Sequence, residues 1–123
     1  MNRQSLHPVI AAVALAMPAI AWCQDTPLTP QEIQAAWAGR ELTGAAANGM
    51  GFVMRFEADG KASLSIGNLN DSGTWRLNDT GYCAKWTTIR SGQERCFTVV
   101  KSGGQFKVLN SDGSVNSNVT SVR

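Results

Sequence analysis

Six short turn signals cut residues 50–122 into strand-sized pieces: Asp59-Gly60, Asp71-Ser72-Gly73, Asp79-Thr80-Gly81, Ser91-Gly92, Ser102-Gly103-Gly104 and Asp112-Gly113. They recur every 8 to 13 residues, so the pieces between them hold one strand each and no more. Short runs at this spacing predict an all-β chain folded as an antiparallel sandwich or barrel. The expectation is a small meander barrel of about eight strands.

Alternation within the pieces sets their faces. Met50–Glu57 places Phe52, Met54 and Phe56 on one side, with Val53, Arg55 and Glu57 on the other. Ala62, Leu64 and Ile66 then point one way, and Lys61, Ser63 and Ser65 the other. Trp75 and Leu77, Phe97 and Val99, and Phe106 and Val108 continue the inward set. Glu41–Gly44 is a first strand, followed by a small-residue loop at Ala45–Gly49. Ser114–Val122, with Val115 and Val119 among Asn and Ser, is expected at an edge or closing the sheet.

One helix precedes the strands. Thr29-Pro30-Gln31-Glu32 combines an N-cap Thr, Pro at the first helical position and Glu three residues after the cap. Ile33, Ala36 and Trp37 share a face, and Gly39 is placed to end a helix of about residues 30–38. So short a helix has no stability alone in water. It must dock, and Trp37 is the side chain to do it.

Residues 1–23 have the parts of a signal peptide: Arg3 in a basic n-region, an apolar run from Val9 to Ala21, and small residues before a cut. The run is too short to cross a hydrocarbon core of about 30 Å. Cleavage after Ala21 leaves three cysteines, and cleavage after Cys23 leaves Cys83 and Cys96. The even count favours a single domain over residues 24–123 in an oxidising compartment, periplasmic or secreted. No transmembrane segment is expected once the leader is gone.

A Cys83–Cys96 bond fixes a register. A two-residue Ser91-Gly92 turn would separate the cysteines by about 13 Å along the strands, too far to bridge. The bond instead sets Cys83 opposite Cys96 and Lys85 opposite Glu94, with a loop of Thr88–Ser91. Ala84, Trp86, Arg95 and Phe97 then face inward, because a one-residue slip would turn Trp86 outward.

Much chemistry is excluded. The single histidine, His7, lies in the leader, which removes the commonest general base and the usual zinc ligand. Asp59, Asp71, Asp79 and Asp112 sit beside turn glycines, where Asp bonds local backbone. No pair of acids points into a cleft, and Asn70-Asp71-Ser72-Gly73 lacks the spacing of an EF-hand loop. Eleven basic residues against nine acidic ones, without a basic run, give no footprint for nucleic acid. No catalytic residue, metal site or cofactor is expected.

The aromatic and apolar residues remain as candidates. Phe52, Phe56, Trp75, Trp86, Phe97 and Phe106 either fill the barrel or line a hollow for a small ligand. Arg95 beside Trp86 must reach the rim, pair with an acid or meet an anionic ligand, because an unpaired buried charge is costly. The expected function is non-catalytic binding of a small apolar molecule, or sensing of one in the envelope. The alternative is a module that binds an envelope protein, such as a protease or lysozyme inhibitor.

Leu28-Thr29-Pro30, Gly39…Leu42-Thr43-Gly44, Phe56…Asp59-Gly60, Gly73-Thr74-Trp75-Arg76, Cys83…Trp86 and Cys96-Phe97 occur in that order. In this the chain resembles a family of short exported bacterial proteins of unknown function with a lipocalin-like (calycin) barrel. The resemblance implies a periplasmic barrel with one disulfide and carries over no catalytic residue. The helix-Gly-strand opening and the closing Asp112-Gly113-Ser114-Val115 are more faintly similar to the periplasmic metalloprotease inhibitors, whose cysteine spacing differs. In that comparison Gln24-Asp25-Thr26 would be the segment offered to a protease.

Overall fold

A computed structural model describes residues 26–123; the leader, His7, Cys23 and both cleavage frames lie outside them. The chain runs from α1 (Pro30–Trp37) into β1 (Glu41–Ala46), β2 (Gly51–Phe56), β3 (Lys61–Ile66), β4 (Leu69–Leu77) and β5 (Tyr82–Trp86). A short 3-10 turn, Ile89–Gly92, leads to β6 (Arg95–Ser102), β7 (Gln105–Leu109) and β8 (Val115–Val122). Each strand pairs antiparallel with the next, and β8 pairs with β1, so the eight strands close into a barrel. The all-β meander expected from the turn ladder is the fold observed, and Ser114–Val122 closes it.

The connections of a meander alternate between two ends. One end carries the β2–β3, β4–β5 and β6–β7 turns, and α1 lies there, entering β1 directly. The N-terminus of α1 is a capping box: Thr29 Oγ1 accepts from Glu32 N at 3.1 Å, and Glu32 Oε1 accepts from Thr29 N at 2.8 Å. Its buried face is Ile33 and Trp37, as the spacing predicts. Ala38 bridges Phe56, and Gly39 N donates to Phe56 O at 2.7 Å, which ties the helix to the end of β2. Trp37 is fully buried there, with its ring 6.1 Å from Phe56 and 5.7 Å from both Tyr82 and Phe106. This end of the barrel is filled.

The inward alternation holds for Phe52, Met54 and Phe56, for Trp75, and for Phe97, Val99 and Val108, all buried. β8 closes the barrel onto β1, one of the two placements expected for it. A register shift at Val108/Leu109 turns Val115 outward and buries Ser117, so only Val119 of the two valines is in the core. β1 runs two residues longer than expected, to Ala46. At Gly44, where the β1–β8 register shifts, a Cβ would run into the Asn118 carbonyl, so closure of the barrel requires a residue without one.

A second departure concerns Asp71-Ser72-Gly73. These residues do not form a turn. They lie inside β4, and the chain reverses earlier at Gly67-Asn68, with Gly67 at φ 59°. Gly73 is needed for close approach instead, because a Cβ there would meet the Lys85 carbonyl of β5. The disulfide joins Cys83 to Cys96, directly opposite in the β5–β6 ladder, as the register argument requires. The ladder stops at Ala84–Arg95, so Lys85 and Glu94 lie beyond it. Glu94 instead takes two bonds from Arg76 of β4, at 3.0 and 2.8 Å.

Truncating Trp37 to Ala should cost about 3–5 kcal/mol, as for other large buried aromatics. Urea denaturation checks this; a loss under about 0.5 kcal/mol would mean that the helix does not close the barrel.

Candidate functional site

The end opposite α1 is not filled. The inner faces of β2 and β3 present Phe52, Met54, Leu64 and Ile66, and those of β5 and β6 present Ala84, Trp86 and Phe97. Between them is a cavity of about 130 Å3. Its floor is Phe56 and Tyr82, the two rings that rest on Trp37. Its mouth is framed by Ala46 at the end of β1, Ile89 and Arg90 in the β5–β6 loop, and Asn116 and Ser117 at the start of β8. The barrel is a cup: plugged below by the helix, hollow above.

The β5–β6 loop is the most constructed part of the mouth. Thr87 N and Oγ1 both donate to Ser72 O, at 2.9 and 2.8 Å. Asp71 reaches across from β4 and accepts from Thr88 N at 3.0 Å and Ile89 N at 2.8 Å. Its other oxygen accepts from Ser72 N at 2.9 Å. These bonds hold the Asp71 carboxyl below its ordinary value of 3.8, with Ile89 the largest contributor. Asp71 therefore clamps a loop distant in sequence, where its sequence context suggests only a local turn.

The clamped loop places Arg90 and Ser91 at φ 56° and 53°. This left-handed conformation costs non-glycine residues of order 1–3 kcal/mol each. Ser91 N donates to Thr88 O at 3.1 Å and Gln93 N to Arg90 O at 3.0 Å, which closes the turn. Arg90 is thereby directed back over the barrel. Its guanidinium carbon lies 5.4 Å from the centroid of the Phe97 ring, and the half-buried side chain lines the cavity.

Electrostatics at the mouth is one-sided. Burial lowers the Arg90 pKa, and repulsion from Arg95 adds to this, against a smaller opposite effect from Tyr82. An arginine stays charged under such shifts. Burial pushes the Tyr82 phenol above its ordinary range, which keeps its hydroxyl neutral. The ion pairs among the described residues are Arg55–Glu57 and Arg76–Glu94, both at 2.8 Å and both on the outer wall. Arg90 has no carboxylate partner among those residues.

The candidate residues separate into groups. Phe52, Phe56, Trp86 and Phe97 line the cavity together. Trp75 does not: it stacks on the far side of Phe56 at 4.9 Å and donates from Nε1 to Glu57 O at 2.7 Å. Phe106 packs on Trp37 beneath the floor. Arg95 is exposed, as the rim alternative for it required, and does not line the cavity. It borders a broader polar depression between the β5–β6 and β7–β8 loops. The cation that the sequence reading missed is Arg90. Its signal was Ile89, an apolar residue inside a supposed surface loop, which here folds inward beside it.

Among the described residues, one cluster has atoms of a kind that could hold a metal. Cys83, Glu94 and Cys96 bring their ligand atoms within 4.8 Å, but the sulfurs bond each other and Glu94 holds Arg76. No family model matches the chain, and neither the curated proteins nor the solved structures searched contain a match.

The Asp71 clamp has a defined pH dependence. Its folded pKa is depressed, so its contribution is present above the unfolded value and is lost as pH falls through the folded one. The amide resonances of Thr88 and Ile89 should titrate with a midpoint below 3.8. In Asp71→Asn that titration should vanish. A midpoint at or above the ordinary carboxylate value would show that the clamp does not form.

Proposed function

We propose that this protein is an exported, non-catalytic barrel that binds one small apolar molecule in the cup. The observation that carries the reading is the division of the interior: Trp37 fills one end, while about 130 Å3 above Phe56 and Tyr82 stays open. Packed proteins leave few voids larger than a water molecule. An apolar void near 150 Å3 takes benzene, whereas drug-sized ligands need roughly 300 Å3 or more. The cargo is therefore a single ring or a chain of about six carbons.

The wall fits such a cargo. Phe52, Trp86 and Phe97 offer ring faces, and Met54 offers a side chain that adapts its shape. Export is supported by the leader-like residues 1–23 and by the disulfide, which belongs to an oxidising compartment. Residues 24–123 contain no histidine, which favours binding over catalysis.

A second reading, docking of an envelope protein on the same end, is favoured by Met50, Leu69 and Val115. These are exposed by 46%, 39% and 38%, and all three lie on or beside the open-end loops. One variant separates the two readings. Ala84 lines the cavity midway down, so Ala84→Leu adds carbons to the hollow without touching the rim. Binding of toluene, followed by Trp86 fluorescence and calorimetry, should weaken at least about tenfold in the variant, as one lost apolar contact of this size implies. Unchanged toluene binding, or none in the parent protein, would remove the cup as the site.

A further inference from the structure

We propose that the cup takes a small organic carboxylate, aromatic or of about six carbons, whose carboxylate is held by Arg90 at the mouth. This rests on the cup being the binding site, and names the class of its ligand.

Among the described arginines, Arg90 is the one that lines the cavity. Arg55 and Arg76 lie on the outer wall, each with its own glutamate. Arg90 is half-buried, lines the cavity and has no carboxylate partner among the described residues. Asp71, the acid that reaches this loop, has both oxygens engaged by the amides of Ser72, Thr88 and Ile89. What Arg90 has instead is the face of Phe97 at 5.4 Å. A ring face attracts a cation but leaves its N–H fork free for an acceptor.

The loop is built to keep it there. Asp71 and Ser72 anchor Thr87, Thr88 and Ile89, and the two left-handed residues that follow turn Arg90 inward over the barrel. Arg95 adds a second positive charge on the same hairpin. Opposite, the polar side chains that line the cavity are Asn116 and Ser117, which are neutral, and Tyr82 on the floor. An apolar hollow with positive charge at one point favours a ligand that is apolar at one end and anionic at the other.

Carboxylate fits better than phosphate. A planar guanidinium presents paired donors that match the two oxygens of one carboxylate. A phosphate would bring up to a second negative charge into a hollow lined by a single cation, and charge buried without a partner is strongly disfavoured.

The test compares near-isosteric probes on the full protein: benzoate, benzyl alcohol and toluene, by titration calorimetry. Benzoate is expected to bind at least about tenfold more tightly than benzyl alcohol, the advantage of a charge-assisted bond. In Arg90→Gln the ratio of benzoate to benzyl alcohol affinity, both measured on that variant, should fall to about one. Arg90→Lys should restore part of the advantage, since charge returns without the fork. Equal binding of benzoate and benzyl alcohol by the parent protein would overturn the carboxylate assignment and leave the apolar cup standing. If Arg90→Gln strengthens all three probes alike, Arg90 is a plug and the assignment also fails. Failure of all three probes to bind the parent protein would remove the cup and the carboxylate together.

Discussion

The burial of Trp37 is the interaction on which the architecture depends. An eight-residue helix has no independent stability in water, and a closed barrel of short strands has two ends to protect from solvent. One indole answers both needs. A buried aromatic of this size removes about 200 Å2 from water, worth roughly 5 kcal/mol at the usual coefficient. The indole Nε1 is buried with no hydrogen-bond partner among the described residues, which gives some of that back. Its surroundings are Phe56, Tyr82 and Phe106, with Tyr82 and Phe106 meeting it edge to face. Such aromatic pairs add about 0.5–1.5 kcal/mol each beyond area. The balance favours docking.

The same contact creates the asymmetry of the interior. Phe56 and Tyr82 touch Trp37 on one side and line the hollow on the other, so the plug of one end is the floor of the opposite one. Among the described residues, nothing comparable to α1 covers the open end. What stands there is a loop tied down by side-chain-to-backbone bonds, chiefly from Asp71. Loops of this kind are normally the mobile parts of a fold. This one carries two left-handed residues and a half-buried cation, an arrangement that persists only when neighbouring bonds over-determine it.

Much of this was legible in the residues. The capping box of α1, the inward set of β2 and β3, and the opposed pair Cys83–Cys96 follow from periods, caps and disulfide geometry, all of which act within a few residues or across one ladder. The errors share a cause. Asp71-Ser72-Gly73 has the composition of a turn, yet Gly73 is there so that the Lys85 carbonyl can approach, and Asp71 is there to hold Thr88 and Ile89. Both reasons lie elsewhere in the chain, on β5 and in the loop that follows it. The Lys85–Glu94 match failed likewise, because Arg76 on the far side of β5 offers Glu94 a two-pronged partner. A guanidinium fork matches a carboxylate with two parallel bonds, while Lys85 acts on Glu94 through its charge alone.

Arg95 and Arg90 show where pattern reading stops. Parity along β6 puts Arg95 on the inner face, and parity is correct for its neighbours Phe97 and Val99. Arg95 sits at the last ladder position, however, where the wall ends and a long side chain can turn out to solvent. Arg90 has no parity at all, being in a loop, and comes inward only because Asp71 fixes the residues before it. Of two cations five positions apart, the one that alternation puts inside is outside, and the one that alternation does not place is inside. This matters because a charge at the mouth of an apolar hollow decides what may enter. With Arg95 outside and Arg90 inside, positive charge meets the cavity at one point of its wall, and the remaining lining carries no charged side chain. In the proposed binding role that placement would select molecules with one anionic end, through the geometry of a loop whose anchor lies seventeen residues earlier in the chain.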